Sequence, residues 1–211
     1  MDGFKNTSAL RKNIAVLVSG NGSNLNALIN AVNTGKIVNA NIALVISNKK
    51  SANALNIARD AKIPTFYVAR DLFNSDEEYD LFLLNKLNEY STDLVLLAGY
   101  LRIITPIFLK AFENRILNIH PSLLPDFGGK GMYGMKVHQA VLNSKSVKSG
   151  CTVHLVTEKI DGGHILAQSS VSIMPDDSAE ILAAKVLEEE HKLYPLAVNN
   201  FISTIMLNNN R

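Results

Sequence analysis

Ile14-Ala15-Val16-Leu17-Val18, followed at once by Ser19-Gly20-Asn21-Gly22-Ser23-Asn24, is the stretch that decides the fold. Five apolar residues without a polar interruption read as a strand buried on both faces, as in a parallel sheet. The glycine-rich turn leads into a helical segment that runs to about Asn33, with Gly35 just beyond its end as a terminator.

The alternation continues downstream. Ile42 to Ile46 is a second apolar run, Ser51 to Ala61 its helix, and Thr65 to Val68 a short third strand. Ser75-Asp76-Glu77-Glu78 is a capping box that opens a helix ending near Tyr90. Leu94 to Ala98 and Ile116 to Ile119 are the fourth and fifth runs. Apolar strands alternating with helices predict an α/β fold, a mainly parallel sheet covered on both faces. Thr152 to Val156 and Ile165 to Ile173 are separated only by a short segment around Asp161-Gly162-Gly163. So short a connection requires an antiparallel pair, and the sheet is expected to end mixed. Asp177-Ser178-Ala179-Glu180 is a second capping box, opening a long helix that Pro195 is expected to kink or divide. Residues 1–12 read as a flexible leader and Asn208 to Arg211 as a frayed tail, leaving 13–207 as one domain.

Composition narrows the class. At 211 residues and 47% hydrophobic content, the chain suffices for one well-packed core. Its 21 basic and 19 acidic residues leave a net charge of +2, which implies neither a nucleic-acid nor a membrane partner. The single cysteine, Cys151, forms no internal disulfide and fits a reducing cytoplasm. The N-terminal segment lacks the apolar core of a signal peptide, and no apolar run approaches the roughly 20 residues that span a bilayer.

Taken alone, the glycine-rich turn has two readings: an anion site, where backbone amides and a helix N-terminus converge, or a purely structural turn. Leu25 stands where the dinucleotide fingerprint has its third glycine, and the second strand ends in Ser47-Asn48-Lys49-Lys50 without a ribose-holding acid. A monophosphate is the better-matched ligand.

Ile116-Leu117-Asn118-Ile119-His120-Pro121 carries the chemistry. In a strand, period two puts Asn118 and His120 on one face, at the C-terminal end where open α/β sheets hold ligands. Both side chains could equally be satisfied within a core or loop. Asp161 could simply cap its turn. Brought near His120, its carboxylate would favour the imidazolium, while Asn118 would donate to an oxyanion.

At these residues the chain resembles the folate-dependent formyltransferases. Asn118-Ile119-His120-Pro121-Ser122-Leu123-Leu124-Pro125 is similar to the family signature. Ser19 to Leu25 resembles the nucleotide-phosphate loop of the branch that formylates glycinamide ribonucleotide. Ala98 to Ile104 resembles that branch's folate segment, Leu155 to Gly163 its second folate loop, and Glu190-His191-Lys192-Leu193-Tyr194-Pro195 its C-terminal helix motif. The likeness runs from about Asn13 to Phe201 with the motifs in order.

The resemblance implies a Rossmann-like three-layer fold with a mostly parallel seven-stranded sheet, its last strand antiparallel. It implies a cytoplasmic enzyme of purine synthesis that takes its formyl group from 10-formyltetrahydrofolate as co-substrate. Its partners would be the two small molecules, with no metal, nucleic acid or membrane involved and a monomer or homodimer as the assembly. Asn118, His120 and Asp161 take the catalytic roles. Gly22, Ser23, Asn24, Pro121 and Glu190 hold the ribonucleotide. Leu101, Arg102, Ile103, Ile104, Asn118, Val156 and Asp161 hold the folate. His138 and His154 are given supporting duty.

Two departures stand out. Asp76 occupies the place of an arginine that helps hold phosphate in some relatives, and it also suits the first turn of a capped helix. The 126–134 loop is longer than in some relatives, with Gly128 where proline is common; its Lys130 has two readings, a compensating cation or, as is commoner for loop lysines, a solvated surface charge. The rivals are methionyl-tRNA formyltransferase and formyltetrahydrofolate hydrolase, for whose extra domains the chain has no room. A further rival is a non-catalytic nucleotide- or folate-binding module.

Overall fold

The computed structural model describes residues 11–208. Strands β1 (Lys12–Val18), β2 (Ala40–Ser47), β3 (Thr65–Tyr67), β4 (Leu94–Leu97), β5 (Ile116–His120), β6 (Lys148–Leu155) and β7 (Ile165–Ser172) form one sheet in the order β3-β2-β1-β4-β5-β6-β7. The pairings from β3 to β5 are parallel; β5–β6 and β6–β7 are antiparallel, so the last strand enters through an antiparallel pair. The strand order reverses between β1 and β4. At such a switch point the loops leaving neighbouring strands diverge and open a crevice at the strands' C-terminal ends.

Alternation along the strands builds two cores. Ile14, Val16 and Val18 face one side with helices α1 (Ser23–Asn33), α2 (Ala54–Asp60), α5 (Met135–Asn143) and α6 (Ala179–Asn208). Ala15 and Leu17 face the other with α3 (Asp76–Glu89) and α4 (Pro106–Ala111). Full burial on both faces is why the central strands read as unbroken apolar runs.

Several boundaries differ from expectation. The first capping box forms on its serine side, Ser75 Oγ accepting from Glu78 N at 3.1 Å; the Glu78 carboxylate passes Ser75 and accepts from Asn74 N at 2.9 Å. At the second box Ser178 takes the place assigned to Asp177, its hydroxyl accepting from Ile181 N at 3.3 Å. The Asp177 carboxylate is occupied by Met174 N and by Lys185 Nζ. Pro195 neither ends nor divides α6, which is one helix from Ala179 to Asn208. Tyr194, just before it, is fully buried, and its hydroxyl is shared between the carbonyls of Leu97 and Leu117, 3.1 Å from each. That anchor and the packing of α6 on α1, α5, β6 and β7 offset the one helical hydrogen bond the proline removes. β1 starts at Lys12, inside the expected leader; the rest of that leader up to residue 10, and the tail after Asn208, lie outside the described residues.

Candidate active site

Three loops are tied at the switch point by one hydroxyl. Ser19 Oγ, just past β1, accepts from Leu101 N at 2.9 Å and donates to Asn48 Oδ1 at 2.6 Å. Beside this junction a cleft of about 790 Å3 runs over the C-terminal ends of β4 and β5. Asn118, His120, Pro121, His154, Asp161 and Glu190 line it.

Asn118 lies directly across from His154 on β6, and its Nδ2 is 3.1 Å from His154 Nε2. His154 Nδ1 donates to its neighbour Leu155 O at 2.8 Å, which leaves Nε2 as the acceptor. The amide of Asn118 is thereby oriented, with a second N–H left for a ligand in the cleft.

His120 Nδ1 lies 3.5 Å from Asp161 Oδ2, across the mouth of the β6–β7 connection. Its Nε2 donates to Phe127 O at 2.9 Å. Asp161, in a left-handed conformation at φ 53°, also accepts from Gly129 N at 2.8 Å, and its Oδ1 is 3.6 Å from His154 Nε2. The 126–134 loop is thus held on the pair by its backbone. Burial works to raise the Asp161 pKa, but the His154 and His120 rings and the Gly129 amide outweigh it and hold the carboxyl below the usual range. For His120 the balance goes the other way. Burial, stronger than the attraction of Asp161 and the Phe127 carbonyl, pushes the imidazole below its ordinary value. The sequence-based expectation of a raised His120 pKa is corrected here: desolvation outweighs the attraction of the carboxylate.

On one side of the His120–Asp161 pair, Gly22 caps α1 at φ 82°, with no side-chain hydrogen bond on the first turn's amides. A Cβ at Gly22 would sit 2.7 Å from the backbone Cα of Ala54, so no side chain fits. Free first-turn amides and the helix dipole suit an anion. Asn24, expected to offer its side chain there, turns inward: its Nδ2 donates to Glu190 Oε2 at 2.6 Å. The pair is buried, at 9% and 7% exposure. One Asn24 side-chain N–H is thereby committed to Glu190 rather than to an anion. Burial raises the Glu190 pKa, the Asn24 hydrogen bond restraining the rise.

On the other side lie Leu101, Arg102, Ile103, Ile104 and Val156. Leu101 and Ile103 are 50% and 62% exposed, an apolar wall open to the cleft. Arg102 stacks over Tyr79 at 4.5 Å and donates to Asp76 Oδ1, which also takes Arg70. Asp76, which stands where some relatives have an arginine, thus clamps a cation of the cleft. That contact, Gly129 on Asp161, and Asn118 on His154 were missed by sequence reasoning, whose one usable signal was the identity of the residues. Among the described residues no group of three or more His, Cys, Asp or Glu side chains is arranged to hold a metal, and no helix is long and apolar enough to cross a membrane.

A switch-point crevice with an amide donor, an imidazole and a carboxylate at its centre defines an α/β group-transfer enzyme. The Formyl transferase family matches residues 12–198. The chain is 47% identical over 185 residues to a phosphoribosylglycinamide formyltransferase, chloroplastic, of Arabidopsis thaliana, covering 87% of this chain and 63% of that protein. To the phosphoribosylglycinamide formyltransferase of Escherichia coli (strain K12) it is 41% identical over 189 residues, 90% of this chain and 86% of the other. The solved glycinamide ribonucleotide transformylase 1 of Symbiobacterium toebii superposes with a TM-score of 0.88 at 38% identity, covering 93% of this chain and 90% of that one. The chain belongs to the formyl transferase family and is a formyl-group transferase.

Proposed function

We propose that the chain transfers the formyl group of 10-formyltetrahydrofolate to the amino group of glycinamide ribonucleotide in purine synthesis. The observation that carries this reading is the placing of Asn118, His120 and Asp161 on one cleft, with Asp161 3.5 Å from His120. Asn21, in the turn just before the amide-rich start of α1, lines the cleft together with Glu190 and with the exposed apolar wall of Leu101 and Ile103. The helix start suits the phosphate and, through Glu190, the ribose; the wall suits the flat folate ring.

Each residue then has a definite task. Asn118 donates its second N–H to the formyl oxygen as the acceptor amine adds to the carbon and charge builds there. His120, neutral beforehand, takes the amine's proton on Nδ1, the nitrogen that faces Asp161. Asp161, kept ionised, balances the imidazolium. The same proton returns to the folate nitrogen as its bond to the formyl carbon breaks, so charge and protons balance. We place the reaction in the cytoplasm, where the single buried thiol of Cys151, pushed up to about 12 by burial, stays reduced and inert. The test is formyl transfer by the native chain and by His120→Ala. The expected outcome is turnover that falls about 100- to 10,000-fold in the variant. Absence of native turnover with both small molecules bound would instead favour the non-catalytic module.

A further inference from the structure

His138 projects from α5 into the same cleft and is 5% exposed. Its Nδ1 is sealed from solvent and has no hydrogen-bond partner among the described residues. Nε2 has none there either, yet it is not among the sealed atoms, so the ring's one open nitrogen meets the cleft. With Nδ1 sealed, any polar partner the ring meets outside the protein must reach it at Nε2, on the cleft side. Burial holds the ring below its ordinary pKa, which favours the neutral form with a single N–H.

The position selects the ligand. Val137 and Val141, flanking His138 on α5, pack in the core that holds α1 and α6, the elements carrying Gly22 and Glu190. Tyr100 and Ile104, the buried residues on either side of the exposed wall of Leu101 and Ile103, pack in the opposite core. We infer that His138 is a further binding residue for the acceptor, donating its Nε2–H to a phosphate or ribose oxygen of the ribonucleotide. This rests on the function proposed above.

The test is steady-state kinetics with His138→Leu, which keeps the bulk and removes both nitrogens, and His138→Gln, whose amide nitrogen falls where Nε2 was. Loss of one such hydrogen bond raises the KM for glycinamide ribonucleotide about tenfold in the leucine variant. The KM for 10-formyltetrahydrofolate and the Tm stay at native values, and the glutamine variant recovers most of the loss. His138→Met replaces the leucine variant if that does not fold. Assays with the dephosphorylated ribonucleoside locate the bond: an effect kept there lies on the ribose, and one confined to the nucleotide lies on the phosphate. An unchanged ribonucleotide KM, or an equal rise in both KM values with a lowered Tm, overturns the role of His138. Failure of the native chain to formylate the ribonucleotide would overturn the proposed function instead.

Discussion

Asn24 and Glu190, 166 positions apart, meet in a buried hydrogen bond of 2.6 Å that joins the start of α1 to the middle of α6. The Asn24 Oδ1 opposite it has no partner among the described residues. The contact holds the cleft's one deeply buried carboxyl in place, and it makes the charge on Glu190 a matter of stability as well as binding.

Glu190→Gln tests that point. Because the folded pKa of Glu190 lies above its unfolded value, the folded state binds the proton more tightly. Stability is therefore highest below the unfolded pKa, falls as pH rises through the interval between the two values, and is flat above it. The glutamine variant is expected to show a higher Tm than the native chain at pH 8, by roughly 2–4 °C per kcal/mol, and no gain at pH 4. Thermal melts at both values check it, and equal gains at both would contradict it.

His120 and Asp161 set the pH profile of turnover. A neutral His120 is the working form, so activity is present above its folded pKa and lost below it, and that limb lies under the ordinary histidine value. Asp161→Asn removes the attraction that partly restores the pKa. The limb then moves to still lower pH, while the plateau falls by roughly 100-fold or more. Profiles of kcat/KM for both proteins decide this; a limb that moves upward would reverse our assignment of which nitrogen and charge matter.

Gly22→Ala places a Cβ into the backbone of Ala54 at a φ of 82°. The left-handed conformation alone costs about 1–2 kcal/mol, and the clash adds to it. Denaturant unfolding should show at least that loss, together with a raised KM for the ribonucleotide.

Asp76→Asn frees Arg102 from its clamp. Asp76 is largely exposed, so stability should change by no more than about 1 kcal/mol. The cleft gains an unpaired cation on its apolar side. The KM for 10-formyltetrahydrofolate, an anion through its glutamate carboxylates, should fall and become more dependent on salt, with that for the ribonucleotide unchanged.

The central strands were legible because burial on both faces leaves no polar residue in them, as in Ile14 to Val18. The tight turn at Gly22 was legible because its neighbours exclude a side chain. α4 escaped notice: it has only six residues, too few for a helical period to stand out, and its start is held from outside, by the Asp80 carboxylate accepting from Thr105 N at 2.8 Å. α5 follows a loop whose glycines hide its beginning. The catalytic trio could be singled out by residue type, but its electrostatics could not. The proximity of Asp161 suggested a charged His120, and only the burial of the ring, set by the loop folded over it, reverses the sign. Likewise Asn24 read as a ligand-facing amide until its distant partner Glu190 was in view.

The 126–134 loop touches the catalytic pair through main-chain atoms, the carbonyl of Phe127 on His120 and the amide of Gly129 on Asp161. Both bonds are made by main-chain atoms, yet the backbone that presents them is specific: Phe127 and Gly129 lie at φ 55° and 94°, the left-handed region that favours glycine at 129. Gly128 between them is different, since a Cβ there would lie 2.6 Å from Leu124 Cδ2 and 3.2 Å from Asp161 Cβ. The loop's grip on His120 and Asp161 is thus written in backbone shape, so a side chain at 128 or 129 would slacken it without touching either of those residues.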